Sequence, residues 1–370
     1  MQKVIFILHI PPPIHGSAIV GKIIKDSTLI NNSIQSKYIN LGTSRSLEVI
    51  GKKPFQKIGV YLKIVCQTLI QLMFFKPDLI YIALTAKGKA FYKDAFIALL
   101  AKVSGKKIVY HLHNRSMAER QHKWLDVTLC NMIFKNTNVI LLSKYLYLEI
   151  KKYVPIRHVH ICPNGIPQLL DTVAKRKKVS SNDVQVLFLS NLMLAKGVFV
   201  LLDALEILKK RQLAFHCTFI GGESDISEEL FQAKVMELGL SDYVQYAGKK
   251  YGEEKHNAFS TADIFVLPTL NETFGLVNLE AMQYSLPVIS TLEGGIPDVV
   301  KDGETGFLVD KNDRQDLADK LEMLIKNHEL RIQMGQLGRK HYEEYFTLEI
   351  FEQRFLEIIN KILLKSNLNA

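Results

Sequence analysis

The sequence predicts an α/β protein of two doubly wound domains facing each other across a cleft. Three observations carry this expectation. Short apolar runs alternate with amphipathic stretches at βαβ spacing along the whole chain, the pattern of parallel sheets covered by helices. A polar interval interrupts that alternation midway. The length of 370 residues is long for one core and comfortable for two.

In order, the first half carries expected strands at Val4–Ile10, Leu79–Ala83, Ile108–Leu112, Val139–Leu142 and His158–Ile161. The first of these ends in Pro11-Pro12-Pro13, is too short to span a bilayer and lacks a following cleavage site, so it reads as a buried strand and not a signal peptide. The stretch Val60–Phe75 repeats polar Lys63, Gln67 and Gln71 on one narrow stripe, which predicts a helix buried over most of its circumference, in a core or against a membrane. The second half carries expected strands at Val186–Ser190, His216–Ile220, Val244–Ala247, Ile264–Leu267, Val288–Ser290 and Gly306–Val309. Between the halves lie Lys175-Arg176-Lys177-Lys178 and Ser180-Ser181-Asn182-Asp183, the composition of an exposed linker. The expected division is a first domain over 1–165, a linker over 166–183, a second domain over 184–345 and a last segment, 346–370, helical from Leu348 to Leu364.

Charge divides the same way. Residues 1–160 hold 24 Lys and Arg against 7 Asp and Glu, hence +17, while the remainder holds 23 against 30, hence −7. A strongly basic half facing a polyanion follows; an anionic membrane surface is favoured for the asymmetry as a whole, while any single cluster such as Lys52-Lys53 or Lys106-Lys107 reads as a solubilising face. Nucleic acid is not expected, because no recognised binding motif or aromatic-basic interleaving appears. Four scattered cysteines, Cys66, Cys130, Cys162 and Cys217, suggest neither a zinc site nor a disulfide framework and fit a reducing cytoplasm.

The most informative residues are Glu272 and Glu280, seven residues apart in Asn271-Glu272-Thr273-Phe274-Gly275-Leu276-Val277-Asn278-Leu279-Glu280. They follow the strand Ile264–Leu267 and enter a helix beginning near Phe274. Ligands of open α/β sheets bind at the carboxyl ends of strands, and helix amino termini offer N–H groups to anions. Two carboxylates there suit hydroxyl-rich ligands. The loop Ser190-Asn191-Leu192-Met193-Leu194-Ala195-Lys196-Gly197 likewise leads from a strand into a helix of about Phe199 to Lys209, with an ammonium and N–H groups pointing the same way. At the amino terminus, Pro13-Ile14-His15-Gly16-Ser17 lets backbone approach a phosphate, without the Gly-x-Gly-x-x-Gly of a dinucleotide site.

The block resembles the Glu-x7-Glu signature of retaining glycosyltransferases of family 4, which have the GT-B fold. Its flanks carry the resemblance: Ala262-Asp263-Ile264-Phe265-Val266-Leu267-Pro268 before it, then Glu280-Ala281-Met282, Pro287-Val288-Ile289, Gly294-Gly295-Ile296-Pro297 and Asp302-Gly303-Glu304-Thr305-Gly306. It runs from about residue 185 to 345. It implies two Rossmann-like domains and a last helix crossing back to the first. It also implies donor-binding roles for Gly16, Asn191, Lys196, Gly197, Glu272, Phe274, Gly275, Leu276 and Glu280. Asn191 departs from the pattern, standing where the family has an arginine for the donor's diphosphate, so Lys196 or another basic residue must carry more charge. His113 matches the histidine that contacts the donor sugar, which makes His113, Lys196 and Glu272 the catalytic candidates. His111 reads as a satisfied, partly buried neighbour on the same face. Arg115 and Arg120 either meet an acceptor phosphate or are merely solvated.

The implied reaction transfers a sugar from a nucleotide diphosphate sugar to a saccharide or lipid-linked saccharide with the anomeric configuration kept. The implied place is peripheral, at the inner face of the plasma membrane, in polysaccharide or glycolipid biosynthesis. No cofactor beyond the nucleotide sugar is expected, and no metal, since no Asp-x-Asp stands at a strand end. A catalytically silent nucleotide-sugar-binding subunit and a sugar-nucleotide epimerase remain as alternatives.

Overall fold

A computed structural model of the chain describes residues 1–13, 15–42, 54–169 and 183–364. Ile14, Lys52-Lys53, the basic run Lys175-Arg176-Lys177-Lys178 and Ser180-Ser181-Asn182 lie outside the described residues. The chain divides into two compact units, Met1–Asn164 with the carboxyl-terminal segment from Glu349, and Gly165–Leu348.

Unit 1 comprises β1 (Lys3–Leu8), α1 (Gly16–Asp26), α2 (Thr28–Ser33), β2 (Gln35–Asn40), α3 (Pro54–Phe74), β3 (Leu79–Ile82), α4 (Ala90–Val103), β4 (Lys107–Leu112), α5 (Trp124–Phe134), β5 (Asn138–Leu141) and β6 (Val159–Ile161). The strands form one parallel sheet in the order β2-β1-β3-β4-β5-β6. β1 and β3 are apolar and buried almost throughout, as sheets covered on both faces require. β2 is the exception: its sequence QSKYIN is polar at an edge, with only Ile39 buried. No apolar run announces it, and the sequence reading missed it.

Unit 2 comprises β7 (Val184–Leu189), α6 (Val198–Lys210), β8 (Phe215–Ile220), α7 (Glu228–Glu237), β9 (Val244–Tyr246), α8 (Gly252–Thr261), β10 (Ile264–Leu267), α9 (Leu276–Gln283), β11 (Val288–Thr291), α10 (Ile296–Val299), β12 (Gly306–Val309), α11 (Arg314–Lys326) and α12 (His328–Tyr345). Its parallel sheet runs β12-β11-β10-β7-β8-β9. Residues 166–169, expected in the linker, are held by this unit: Ile166 N–H donates to Phe346 O, and Leu169 N–H to the Gln283 side chain.

The last helix, α13 (Leu348–Leu364), packs within unit 1. Phe355 lies 6.3 Å from Phe6 and 5.5 Å from Tyr81, ring centre to ring centre. Lys107 Nζ donates to the terminal carbonyls of Ile362 and Leu363, the helix end at which a cation is favoured.

One expectation is overturned in unit 1. Helix α3 is not buried over most of its circumference: Ile64 and Thr68 are buried, while Ile58, Leu62, Leu69, Ile70, Met73 and Phe74 are exposed, Phe74 by 79%. The polar stripe is real, but only a narrow line of the remaining surface meets the unit. Among the described residues no helix is long and apolar enough to cross a membrane.

Candidate active site

In each sheet the chain starts at an inner strand, runs to one edge and then returns to the other side of that first strand. In unit 2 this reversal falls between β7 and β10, and the loops at the carboxyl ends of strands at such a reversal are where open α/β sheets bind ligands. The β7–α6 loop holds Asn191, Lys196 and Gly197, and the β10–α9 loop holds Glu272, Phe274 and Gly275. Backbone hydrogen bonds tie the two together, with Leu270 and Asn271 N–H both donating to Ala195 O. Gly197 seals the join. Its φ is +74°, and a Cβ there would stand 1.9 Å from Pro268 O, so only glycine allows this approach.

The consequence is a direct contact between the predicted residues. Lys196 Nζ lies 2.6 Å from Glu272 Oε2, with both side chains about one-fifth exposed. Glu272 Oε1 also accepts from Thr273 N–H at 2.8 Å and Phe274 N–H at 3.4 Å. Burial opposes ionisation of Glu272, but the Lys196 charge and these N–H groups outweigh it and hold the carboxyl below its ordinary range. Gly294 packs beneath: a Cβ there would meet Glu272 O at 2.1 Å. Gly275 caps α9, whose first-turn N–H groups at Leu276 and Val277 have no acceptor within the helix.

Glu280 lies further along α9 and pairs with Lys255 of α8 at 2.6 Å, without hydrogen-bond alignment on the carboxylate oxygen. Asn191 turns its side-chain oxygen to Gly222 N–H at 3.1 Å. Lys249 lies over the same glycine, its Cε 2.1 Å from where a Gly222 Cβ would be. This lysine was not singled out in the sequence, since it belongs to no pattern. Its signal is spatial: it is a cation beside the position at which the resembled family's arginine is absent.

Two expectations about this loop need correction. Helix α9 begins at Leu276, two residues later than Phe274, because Glu272 and Gly275 shape a turn first. The Phe274 side chain is 2% exposed and packs 6.1 Å from Phe346, so it belongs to the core of unit 2.

In unit 1 the reversal falls between β1 and β3, and histidines gather at those strand ends. His15 caps α1, its Nδ1 accepting from Ala18 N–H, which places Gly16 at the open first position of that helix. His9 Nε2 lies 3.2 Å from Thr85 Oγ1, and the His9 and His15 ring centres are 5.7 Å apart. His113 follows β4, its ring 3.9 Å from that of His111. His111 is fully buried, more so than expected, and its Nδ1 shares a hydrogen bond with Tyr81 OH at 2.8 Å. Burial pushes His9 down to about 4 and His113 to about 3, so both are neutral at physiological pH. His113 Nδ1 is buried with no hydrogen-bond partner among the described residues.

Both arginines are engaged within the unit, Arg115 while about one-third exposed and Arg120 while buried. Arg115 Nε donates to Glu149 at 3.1 Å. Arg120 is buried, with Nε on Ala86 O, Nη2 on Gly88 O and Nη1 on Asp126 Oδ2 at 3.0 Å. A guanidinium so fully engaged builds the loop; it is not free to meet an acceptor. No group of side chains among the described residues could hold a metal ion.

Two parallel α/β units of Rossmann type, each with a ligand-accepting reversal in its sheet, define the GT-B class of fold. Anabaena HepE in complex with UDP-glucose shares it, with a TM-score of 0.72 over 98% of this chain and 100% of that one at 18% identity. Residues 171–341 match the family described as Glycosyl transferases group 1. The D-inositol 3-phosphate glycosyltransferase of Paenarthrobacter aurescens (strain TC1) is 32% identical over 195 residues, 50% of this chain and 48% of the relative. The capsular polysaccharide biosynthesis glycosyltransferase CapM of Staphylococcus aureus is 29% identical over 195 residues, 52% of this chain and 50% of the relative. The chain thus spans about half the length of the curated relatives that it matches.

Proposed function

We propose that this chain is a retaining, metal-independent glycosyltransferase. It takes a hexosyl or N-acetylhexosaminyl group from a nucleotide diphosphate sugar and passes it to a saccharide or lipid-linked saccharide in cell-surface polysaccharide or glycolipid assembly. The observation that carries the reading is the Lys196–Glu272 pair at the β7/β10 reversal. The barrier is departure of a diphosphate from an oxocarbenium-like centre, so the site must meet growing negative charge. Lys196, the amino termini of α6 and α9, the Gly16 loop and Lys249 beside Asn191 supply donors, each typically worth about 3 kcal/mol. Glu272 orients the sugar hydroxyls and Glu280 the ribose, while neutral His113 bonds an outer hydroxyl of the sugar. Retention and metal independence rest on the resemblance of the Glu-x7-Glu block.

Membrane attachment at an anionic, cytoplasm-facing surface belongs to the same proposal. Its support is the basic first half together with the exposed apolar face of α3. A panel of nucleotide sugars incubated with the wild-type chain and with Lys196→Ala tests the reaction: the wild type should release a nucleoside diphosphate from one or two of them and the variant should not. Equal rates for both would remove Lys196 from the chemistry.

A further inference from the structure

Unit 1 holds a cavity of about 400 Å³ apart from the histidines, formed by the loops that lead into α4 and α5. Its wall includes a closed network: Asp126 accepts from Arg120 at 3.0 Å and from Tyr92 OH at 2.6 Å, so these charges cancel. Lys89 and Lys123 also line it, and neither has an ion pair among the described residues. Glu119 is the one carboxylate of the lining outside that network, which leaves the cavity with a positive excess.

The two lysines occupy unusual positions. Lys89 is the N-cap of the 14-residue α4 and Lys123 the N-cap of the 11-residue α5, and neither helix has a side-chain cap. Lysine has no acceptor for the free N–H groups, and its charge opposes the positive end of the helix dipole. The first turn of α4 has no acidic residue, and Asp126 in the first turn of α5 is already engaged by Arg120 and Tyr92, so an anion in the cavity would favour both helix ends.

Ser116 supplies an independent sign. It is 8% exposed, lines the cavity, and its hydroxyl has no hydrogen-bond partner among the described residues. Its φ is +114°, a strained conformation for a residue with a Cβ. Glu149 holds it there by accepting from the N–H groups of Ser116 and Ala118, both at 3.1 Å. That turn keeps Ser116 in the lining that also carries Lys89 and Lys123.

We propose that this cavity binds a phosphate or diphosphate group carried by the acceptor. The word acceptor rests on the glycosyltransferase reading; the anion site rests on its own geometry. Phosphate oxygens would accept from Lys89, Lys123, Ser116 Oγ and the first-turn N–H groups of α5, with Arg120 buried behind as a fixed wall. Such a site discriminates a phosphorylated acceptor from a neutral sugar by charge.

Trp124, the only tryptophan of the chain, directly follows Lys123 and is 79% exposed, so its fluorescence reports on this cavity and not on the nucleotide loops. The full-length protein is titrated with inorganic pyrophosphate, and separately with phosphatidylcholine vesicles with and without phosphatidic acid. A saturable change with pyrophosphate indicates recognition of the free group, and a change only with phosphatidic acid indicates a lipid-borne one; either supports the site. Lys89→Gln with Lys123→Gln should raise the half-saturating concentration at least about tenfold, with Tm equal to or slightly above the wild type. Ser116→Ala should raise it severalfold. No saturable change with any probe, or a double variant that titrates like the wild type, overturns the proposal. Donor turnover measured in parallel separates this failure from a failure of the transferase reading.

Discussion

Lys196 and Glu272 are 76 positions apart in the chain and 2.6 Å apart in space, joined across the carboxyl ends of β7 and β10. In the bare molecule the ammonium that should meet a diphosphate is held by the carboxylate that should meet the sugar. On the proposed reading, donor binding divides the pair and gives each partner its own ligand group. Lys196→Ala and Glu272→Ala should each lower kcat at least about a hundredfold, the scale of one lost electrostatic donor. Both should unfold near the wild-type Tm, because each side chain is partly exposed. Steady-state rates beside thermal melts check this, and a normal rate in either variant removes that residue from the site.

Asn191 and Lys249 flank Gly222, and on the proposed reading the lysine supplies the charge that the amide lacks. Lys249→Gln should weaken binding of the nucleoside diphosphate product by about one order of magnitude. Asn191→Arg in that background should restore it. Calorimetric titration decides the matter: unchanged affinity in Lys249→Gln means that the lysine lies outside the diphosphate's reach.

How much of this was legible beforehand depended on where the information resided. Ile264–Leu267, Gly306–Val309 and the helix Leu348–Leu364 were readable to the residue because a buried strand or a helix needs a local pattern. That Lys196 and Glu272 both follow strand ends was legible from local pattern, and only the fold shows that they touch. The edge strand β2 was not, because pairing on one side tolerates polar residues such as Gln35, Ser36 and Lys37. Nor was the fate of Arg120, whose partners Ala86 and Gly88 are more than thirty positions away. The face of α3 shows the same limit: periodicity identifies which residues align, and only packing decides which side is covered.

Phe274 acts through packing. Phe274→Ala should destabilise unit 2 by about 4 kcal/mol, the usual cost of emptying a buried aromatic site. Phe274→Leu should recover most of that, with donor KM near wild type. Chemical denaturation and donor kinetics separate the two roles; a large rise in KM without loss of stability would restore a direct contact.

The buried histidines make unit 1 acid-sensitive. Burial lowers His9 from 6.5 to about 4 and His113 to about 3, so the unfolded chain takes up protons before the folded one does. This stability is fully present above pH 6.5 and drains as pH falls toward 4 and below, by roughly 3 kcal/mol for His9 alone. His111, lowered well below its ordinary value by burial, adds to the trend. Melting temperatures from pH 7.5 to 4.5 should fall steeply in the wild type and less so in His111→Gln. Parallel curves would show that this histidine is not neutral in the fold.

Membrane attachment predicts that the protein sediments with anionic vesicles, remains free of neutral ones and is released by salt. Leu69→Glu with Met73→Glu, both on the exposed face of α3, should reduce sedimentation without lowering Tm. Equal recovery in the supernatant with both vesicle types would favour a soluble acceptor.

The central claim is that the loops joined by Lys196 and Glu272 cleave a nucleotide sugar with retention. The most direct test follows the anomeric proton by NMR while the wild-type protein, without added metal, turns over whichever nucleotide sugar it accepts. The account predicts a first-formed product with the anomeric configuration of the donor, and no product from Lys196→Ala. Product of the opposite configuration, no turnover of any nucleotide sugar, or equal turnover by the variant would contradict it.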